Sequence, residues 1–167
     1  MFDKLANNLE SFIDLTGRSV SWLSLVMVVV TFVVVLLRYL FDIGSIALQE
    51  SITYMHAILF LVGAAWTLKH DGHVRVDILY NRCGPSRRAM IDLFGSLVLL
   101  LPLAGFIAWI SWEYVLDSWS VMEASREAGG LPGVFLLKSF ILVMSALLVL
   151  QAIVIVLRCT TRIRGDG

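Results

Sequence analysis

The residues able to carry chemistry in this 167-residue chain are few and unevenly placed. Three are histidines: His56 inside a long apolar run, His70 at its end and His73 just beyond it. His56 and His70 stand at a spacing that can set two imidazoles at two haem levels. Bis-histidine ligation needs a matching pair on another apolar segment, and no other segment contains a histidine. His56 is therefore expected as a buried hydrogen-bonding residue between helices, a contact worth ~0.6 kcal/mol in a membrane. His70, Asp71, His73 and Cys83 can be drawn as a zinc site, but they follow no recognised ligand spacing. No cofactor is expected.

Among the carboxylates, Glu50 is the most informative. It opens the stretch Gln49 to Asp77, QESITYMHAILFLVGAAWTLKHDGHVRVD, whose interior from Ser51 to Leu68 has no charge. Two roles are open to it. It can sit among lipid headgroups, or it can pair with Arg38 across the short segment 41–47 and hold two helices in register. The coupling carboxylate of a transporter sits deeper and lines a cavity, whereas here the middles of all the apolar runs lack Asp, Glu, Lys and Arg. Interrupted spans with an internal repeat are also missing. So are Ser-His-Asp, HExxH and phosphate-loop patterns. The chain is expected to be no enzyme, and not to form a substrate path alone.

The elements that position these residues follow from composition. The chain is 59% hydrophobic and 16% charged, with a mean hydropathy of +0.86. Soluble domains carry ~25% charged residues, and a surface this apolar would drive association in water. The expectation is a single-domain, all-α integral membrane protein. Its four transmembrane helices are placed at about 20–40, 46–68, 89–112 and 134–157, each near the ~20 residues that a ~30 Å bilayer core requires. The run 20–40 is longer than a signal-peptide core and has no small-residue cleavage site after it. Residues 2–17 are expected as an amphipathic helix in the interface plane, with Phe2, Leu5, Leu9, Phe12, Ile13 and Thr16 on its apolar face.

Smaller signals fill in the rest. Gly63-Ala64-Ala65, Gly95 and Gly105 are expected helix-contact sites, and Pro102 a kink. Trp109, Trp112 and Trp119 are expected as an aromatic belt. The turn 69–88 is basic, and its run His73 to Tyr80 is expected as a short interfacial helix. The loop 113–133 is acidic, with Glu123 and Glu127 beside Arg126, and Lys138 follows one turn into the last span. Placing both termini and the 69–88 turn on one side gathers ten of the thirteen basic residues there. Basic bias then puts both termini in the cytoplasm, and Cys83 and Cys159 on the reducing side, unpaired. No polar stretch is long enough for an ATPase or receptor domain, so energy coupling and substrate capture are expected in other chains.

The pattern Arg38-Tyr39-x-Phe41, Gln49-Glu50, Gly63-Ala64-Ala65 and Lys69-His70-Asp71-Gly72-His73-Val74-Arg75-Val76-Asp77 resembles the DctQ-like small membrane subunit of TRAP (tripartite ATP-independent periplasmic) transporters. Glu123-x-Ser125-x-Glu127-x-Gly129-Gly130-Leu131-Pro132, then Leu137-Lys138-Ser139 and Gln151, look like that family too. The resemblance runs from about residue 18 to 157, and the G-H-V-R-V-D run is its most specific part. Two departures are His56, where many relatives carry Trp, and Phe140-Ile141-Leu142, where a Pro is common. The resemblance implies a bacterial inner-membrane subunit that scaffolds a large multi-span permease subunit. A periplasmic solute-binding protein delivers the solute, often a carboxylate, and sodium drives uptake. On that reading Glu123, Arg126 and Lys138 help dock the binding protein, and Arg75 with Asp77 organises the cytoplasmic turn. The lipid bilayer is the third partner; no nucleic acid is expected. The rivals are a homodimeric small multidrug-type exporter, which needs a mid-span carboxylate, and a haem-bearing membrane subunit.

Overall fold

The computed structural model describes residues 2–73, 80 and 83–165. Among them every regular element is helical: α1 (Phe2–Phe41), α2 (Ile46–Lys69), α3 (Pro85–Phe94), a π-helical turn (Gly95–Leu100), α4 (Leu101–Ser120) and α5 (Val134–Gly165). Because α3, the π turn and α4 run on as one rod, four rods are long and apolar enough to cross a bilayer. Their outer surfaces are apolar: Trp22, Val28 and Phe32 are 68%, 67% and 61% exposed. Hydrocarbon, not water, is the medium such a surface fits. The protein is an all-α, multi-pass membrane protein.

The N-terminal segment departs from expectation. It is not a separate helix in the interface plane but continues through Gly17 and Arg18 into the first span as one 40-residue helix. At 1.5 Å per residue that rod is ~60 Å long, about twice the bilayer core. Packing explains the continuity. Ala6, Ile13 and Gly17 are buried, and Ile13 joins Val62, Ala65 and Leu147 in the core. Leu5 and Phe12, expected on the same face as Ile13, are half-exposed instead. At Gly17 a Cβ would overlap the Trp66 indole, so only glycine lets α1 and α2 come this close. Nothing lies within 4 Å of where a Cβ on Gly63, Gly95 or Gly105 would stand. The contact role expected of those three belongs within this chain to Gly17 and to the buried Ala65.

Helix α5 is the centre of the bundle: it packs on α1, α2, α3 and α4, while α1 and α2 pair with each other. The disturbance expected at Pro102 takes the form of the π turn just before it. Proline lacks an N–H and its ring crowds the carbonyl four residues earlier, and Leu101 N–H reaches back five residues to Ser96 O. Asp42 (φ 55°) follows α1, and two further helix ends are closed by left-handed residues that are not glycine. Asp71 (φ 53°) follows α2, where Gly72 N–H bonds Thr67 O at 2.9 Å and Asp71 N–H bonds Leu68 O at 3.2 Å. Met122 (φ 46°) follows α4, where Glu123 N–H bonds Ser118 O at 3.0 Å and Met122 N–H bonds Trp119 O at 3.1 Å. Both are Schellman closures. Since α4 extends to Ser120, Glu113 and Asp117 lie on the helix and the connecting loop begins at Val121.

Candidate functional site

Polar side chains that join one helix to another gather at the two ends of the bundle. At the end opposite the termini the loop 121–133 forms a clasp. Glu50, in the second turn of α2, accepts a hydrogen bond from Ser125 Oγ on Oε1 and one from the Leu131 N–H on Oε2 at 2.6 Å. The pairing of Glu50 with Arg38 does not form. Arg38 is exposed at the end of α1, and Glu50 turns to the loop instead. A hydroxyl and a backbone N–H already fixed by their own loop lose less freedom on binding a carboxylate than a long arginine does.

That loop is braced from within. Ser125 N–H bonds Leu131 O at 3.0 Å, Gly130 N–H bonds Glu127 O at 3.0 Å, and Ser125 Oγ accepts from Glu127 N–H at 3.1 Å. Gly129 takes φ +80°, a region open to glycine at little cost. A Cβ on Gly130 would stand 2.6 Å from Ser125 Cβ and 2.8 Å from Glu50 Oε2. The glycine pair is what allows the loop to close over the carboxylate.

The other half of the clasp is Glu123, placed by the closure at Met122. Its carboxylate accepts from Ser118 Oγ at 2.7 Å and pairs with Lys138, one turn into α5. The Lys138 ammonium lies 3.9 Å from the Tyr114 ring centroid, within the range of a cation–π contact. The Lys138 hydrogen bond, and after it that of Ser118, holds the Glu123 carboxyl below its usual range. Beside them Trp119 Nε1 donates to Ser139 Oγ at 2.8 Å, and its ring meets Phe135 edge-on at 4.8 Å. Thus α2, α4 and α5 are tied through one loop. Arg126 is exposed on its outer side.

At the end bearing the termini a second knot joins α1, α2 and α5. Lys69 Nζ donates to Asp14 Oδ2 at 2.5 Å and to Glu10 O at 3.2 Å. Arg158 donates to both carboxylate oxygens of Glu10 at 3.0 Å and to Asn7 Oδ1 at 2.6 Å. This fork matches carboxylate geometry. The His70 ring lies 4.3 Å from that of Trp66, with Nδ1 2.9 Å from Trp66 O.

Of the residues singled out in the sequence, Glu123 and Lys138 come together and Glu50 joins their loop. His56 is not a buried interhelical residue: it is exposed on α2. The packed face of α2 runs through Ile58, Val62, Ala65 and Trp66, and at ~100° per residue position 56 points to the opposite side. His73 is exposed beyond α2, while Arg75 and Asp77, with most of the expected interfacial helix, lie outside the described residues. Asn7, Glu10, Asp14, Lys69 and Arg158 were missed as linking residues. Their signal was Glu10 and Asp14 four apart, on one side of a helix, at the end of the bundle where Lys69 and Arg158 also lie. Ser118 gave no comparable sign, and Ser125 stood out only as part of the run that carries the family resemblance. Chemically, both clusters are suited to fastening helices.

Residues 27–162 match the family model described as Tripartite ATP-independent periplasmic transporters, DctQ component. Over 88 residues the chain is 31% identical to the C4-dicarboxylate TRAP transporter small permease protein DctQ of Vibrio cholerae serotype O1 (strain ATCC 39315 / El Tor Inaba N16961). That alignment spans 53% of this chain and 38% of the relative. No solved structure matches the chain. A match that takes in the last part of α1, all of α2, the rod from Pro85 to Ser120, the 121–133 clasp and most of α5 places the chain in the DctQ component family of the tripartite ATP-independent periplasmic transporters.

Proposed function

We propose that the chain works as the small permease subunit of a TRAP transporter and serves as a scaffold. It braces the fixed part of a large multi-span permease subunit while a periplasmic binding protein delivers a small solute, an organic acid, for sodium-driven uptake. Both termini lie in the cytoplasm of a bacterial inner-membrane complex on this reading. The observation that carries it is the contrast between the ends and the outside of the bundle. Both ends are knotted by ion pairs and a braced loop, while one face of α1 from Leu25 to Val35 is exposed and apolar. A body stiff at both ends with a broad apolar flank suits bracing a neighbour, and its helix middles carry no charge to bind a solute. Arg126 and Glu127, exposed on the clasp, face the binding protein in this arrangement, and the 69–88 turn with Arg75 and Asp77 organises the cytoplasmic side.

The test is affinity purification of the tagged chain from its native membrane in mild detergent. The expected result is a stoichiometric polytopic partner of many spans, lost when the clasp is opened by Glu50→Ala. Recovery of the chain alone as a homodimer that moves solute in liposomes unaided would end the scaffold reading.

A further inference from the structure

The exposed side of α1 carries a repeat that runs most of the length of the rod. Leu5, Phe12, Ser19, Val26 and Val33 stand seven apart, and Asn8, Leu15, Trp22 and Val29 fall three residues after the first four. All of them are exposed. Alternate steps of three and four make the seam along which two helices pack, and Asn8 and Ser19 are polar exceptions of the kind that fix its register. The seam lies well round the helix from Ala6, Ile13 and Gly17, which are buried in the bundle.

Inside the bilayer such a stripe needs only hydrocarbon. The part beyond Trp22 has none. Trp22 and Tyr39 are 68% and 82% exposed, at the ends of the span where aromatic anchors belong and ~25 Å apart along the helix. Leu15, Phe12 and Leu5 lie ~10, ~15 and ~25 Å past Trp22, while the headgroup layer adds only ~5–8 Å to each side of the core. A tilt of about 40°, the upper end for membrane helices, still leaves Phe12 ~11 Å and Leu5 ~20 Å past Trp22. Yet Leu5 and Phe12 are each 49% exposed and Leu15 65%. Apolar side chains in that position call for a protein cover.

The charges beside the seam select the kind of cover. Lys4, Ser11 and Arg18 line one flank and are exposed, whereas Leu9, Thr16 and Leu23 line the other. Neither the Lys4 nor the Arg18 side chain makes a hydrogen bond or salt bridge among the described residues. Flanking charges of this sort decide which helix pairs with which. A second copy running alongside would set each basic row against the uncharged Leu9 row, with no carboxylate to meet.

We propose that the seam of α1 from Leu5 to Val33 pairs with one helix of another chain, which leaves the bilayer beside it and carries Asp or Glu along the edge facing Lys4 and Arg18. That chain is the large permease subunit of the reading above, on which the inference rests for the partner's identity alone.

The test places a benzophenone amino acid at Phe12, Val29 or Ser21 of the tagged chain, in its native membrane with its partners present. Ser21 is exposed on another side of α1. Photolysis and mass spectrometry then identify the linked peptide. Phe12 and Val29 should link to one helix of one other chain, with apolar residues in steps of three and four and acidic residues beside them; Ser21 should not. Lys4→Glu with Arg18→Glu should lower the Phe12 yield roughly three- to tenfold, as expected for two exposed ion pairs, and leave the Val29 yield unchanged. Lys4→Arg with Arg18→Lys should leave both yields as they are. All these positions are exposed, so the fold survives each change. No link from Phe12, a link to a segment without carboxylates or to a second copy, or a yield indifferent to the charge reversal overturns the proposal. A polytopic chain that co-purifies while Phe12 stays unlinked sinks the seam and spares the scaffold reading. An acidic-edged helix linked to Phe12 in a chain that is no large permease supports the seam and ends the scaffold reading.

Discussion

Ile13→Ala separates two views of the N-terminal segment. If the segment lay in the interface plane on its apolar face, Phe12 and Ile13 would contribute alike. In the bundle they differ sharply: Ile13 is 0% and Phe12 49% exposed. Ile→Ala in a core costs ~2–5 kcal/mol, part transfer and part cavity. In a micelle the unfolded helix keeps an apolar medium, so the transfer part largely drops out and packing remains. The expected loss is therefore near the lower bound, ~2 kcal/mol, or a fall of roughly 4–8 °C in Tm for a chain of this size. Phe12→Ala should stay within ~0.5 kcal/mol, as for exposed positions. Thermal unfolding followed by tryptophan fluorescence is well placed to report it, because Trp66 packs against the same cluster. An unmoved Tm for Ile13→Ala alongside a large drop for Phe12→Ala would refute the packed-helix account.

Three further outcomes follow from the two ends. Gly130→Val should free the loop from α2, since its Cβ would meet both Ser125 and Glu50; protease cleavage within 121–133 should rise well above wild type, and an unchanged cleavage rate would discredit the clasp. The Glu123 contact should be pH-dependent. Its folded pKa lies below the ordinary 4.5, so its stabilisation is complete above that value and is lost as pH falls below it through the folded pKa; hydrogen exchange of the loop at pH 7 and pH 3.5, compared with Glu123→Gln, reads this out. Met122 holds φ 46° while 59% exposed, so Met122→Gly should be neutral or stabilising by up to ~1 kcal/mol, measured as Tm in the same micelles; a clear loss would mean that its side chain packs.

Much was legible from local patterns. The four apolar runs announce four spans because length and hydropathy are properties of each segment alone, and the helices found at 46–69 and from 134 onward begin where composition changes. The run from Lys69 to Asp77 and the Gly129-Gly130-Leu131-Pro132 break carried the family likeness. Glu50 stood out by type and position, though its partner did not. Ser125 and Leu131 are distant in sequence, and only the closed loop brings a hydroxyl and a backbone N–H to that carboxylate.

The sequence by itself determined the class of this protein: a chain of apolar helices with polar ends, in a family whose motifs it carries. The tertiary structure alone decided which stripe of each helix meets another helix. In water an apolar stripe must face the core, so periodicity reveals it. In lipid both surroundings are apolar, and Val28 facing outward is as comfortable as Val62 facing inward. That is why His56 could be placed on the wrong side of α2, and why Gly17 escaped notice as the contact glycine. It is also why α1 turned its packed face away from Phe12 towards Ala6, Ile13 and Gly17. Shape and close approach made those choices, and neither is written in hydropathy.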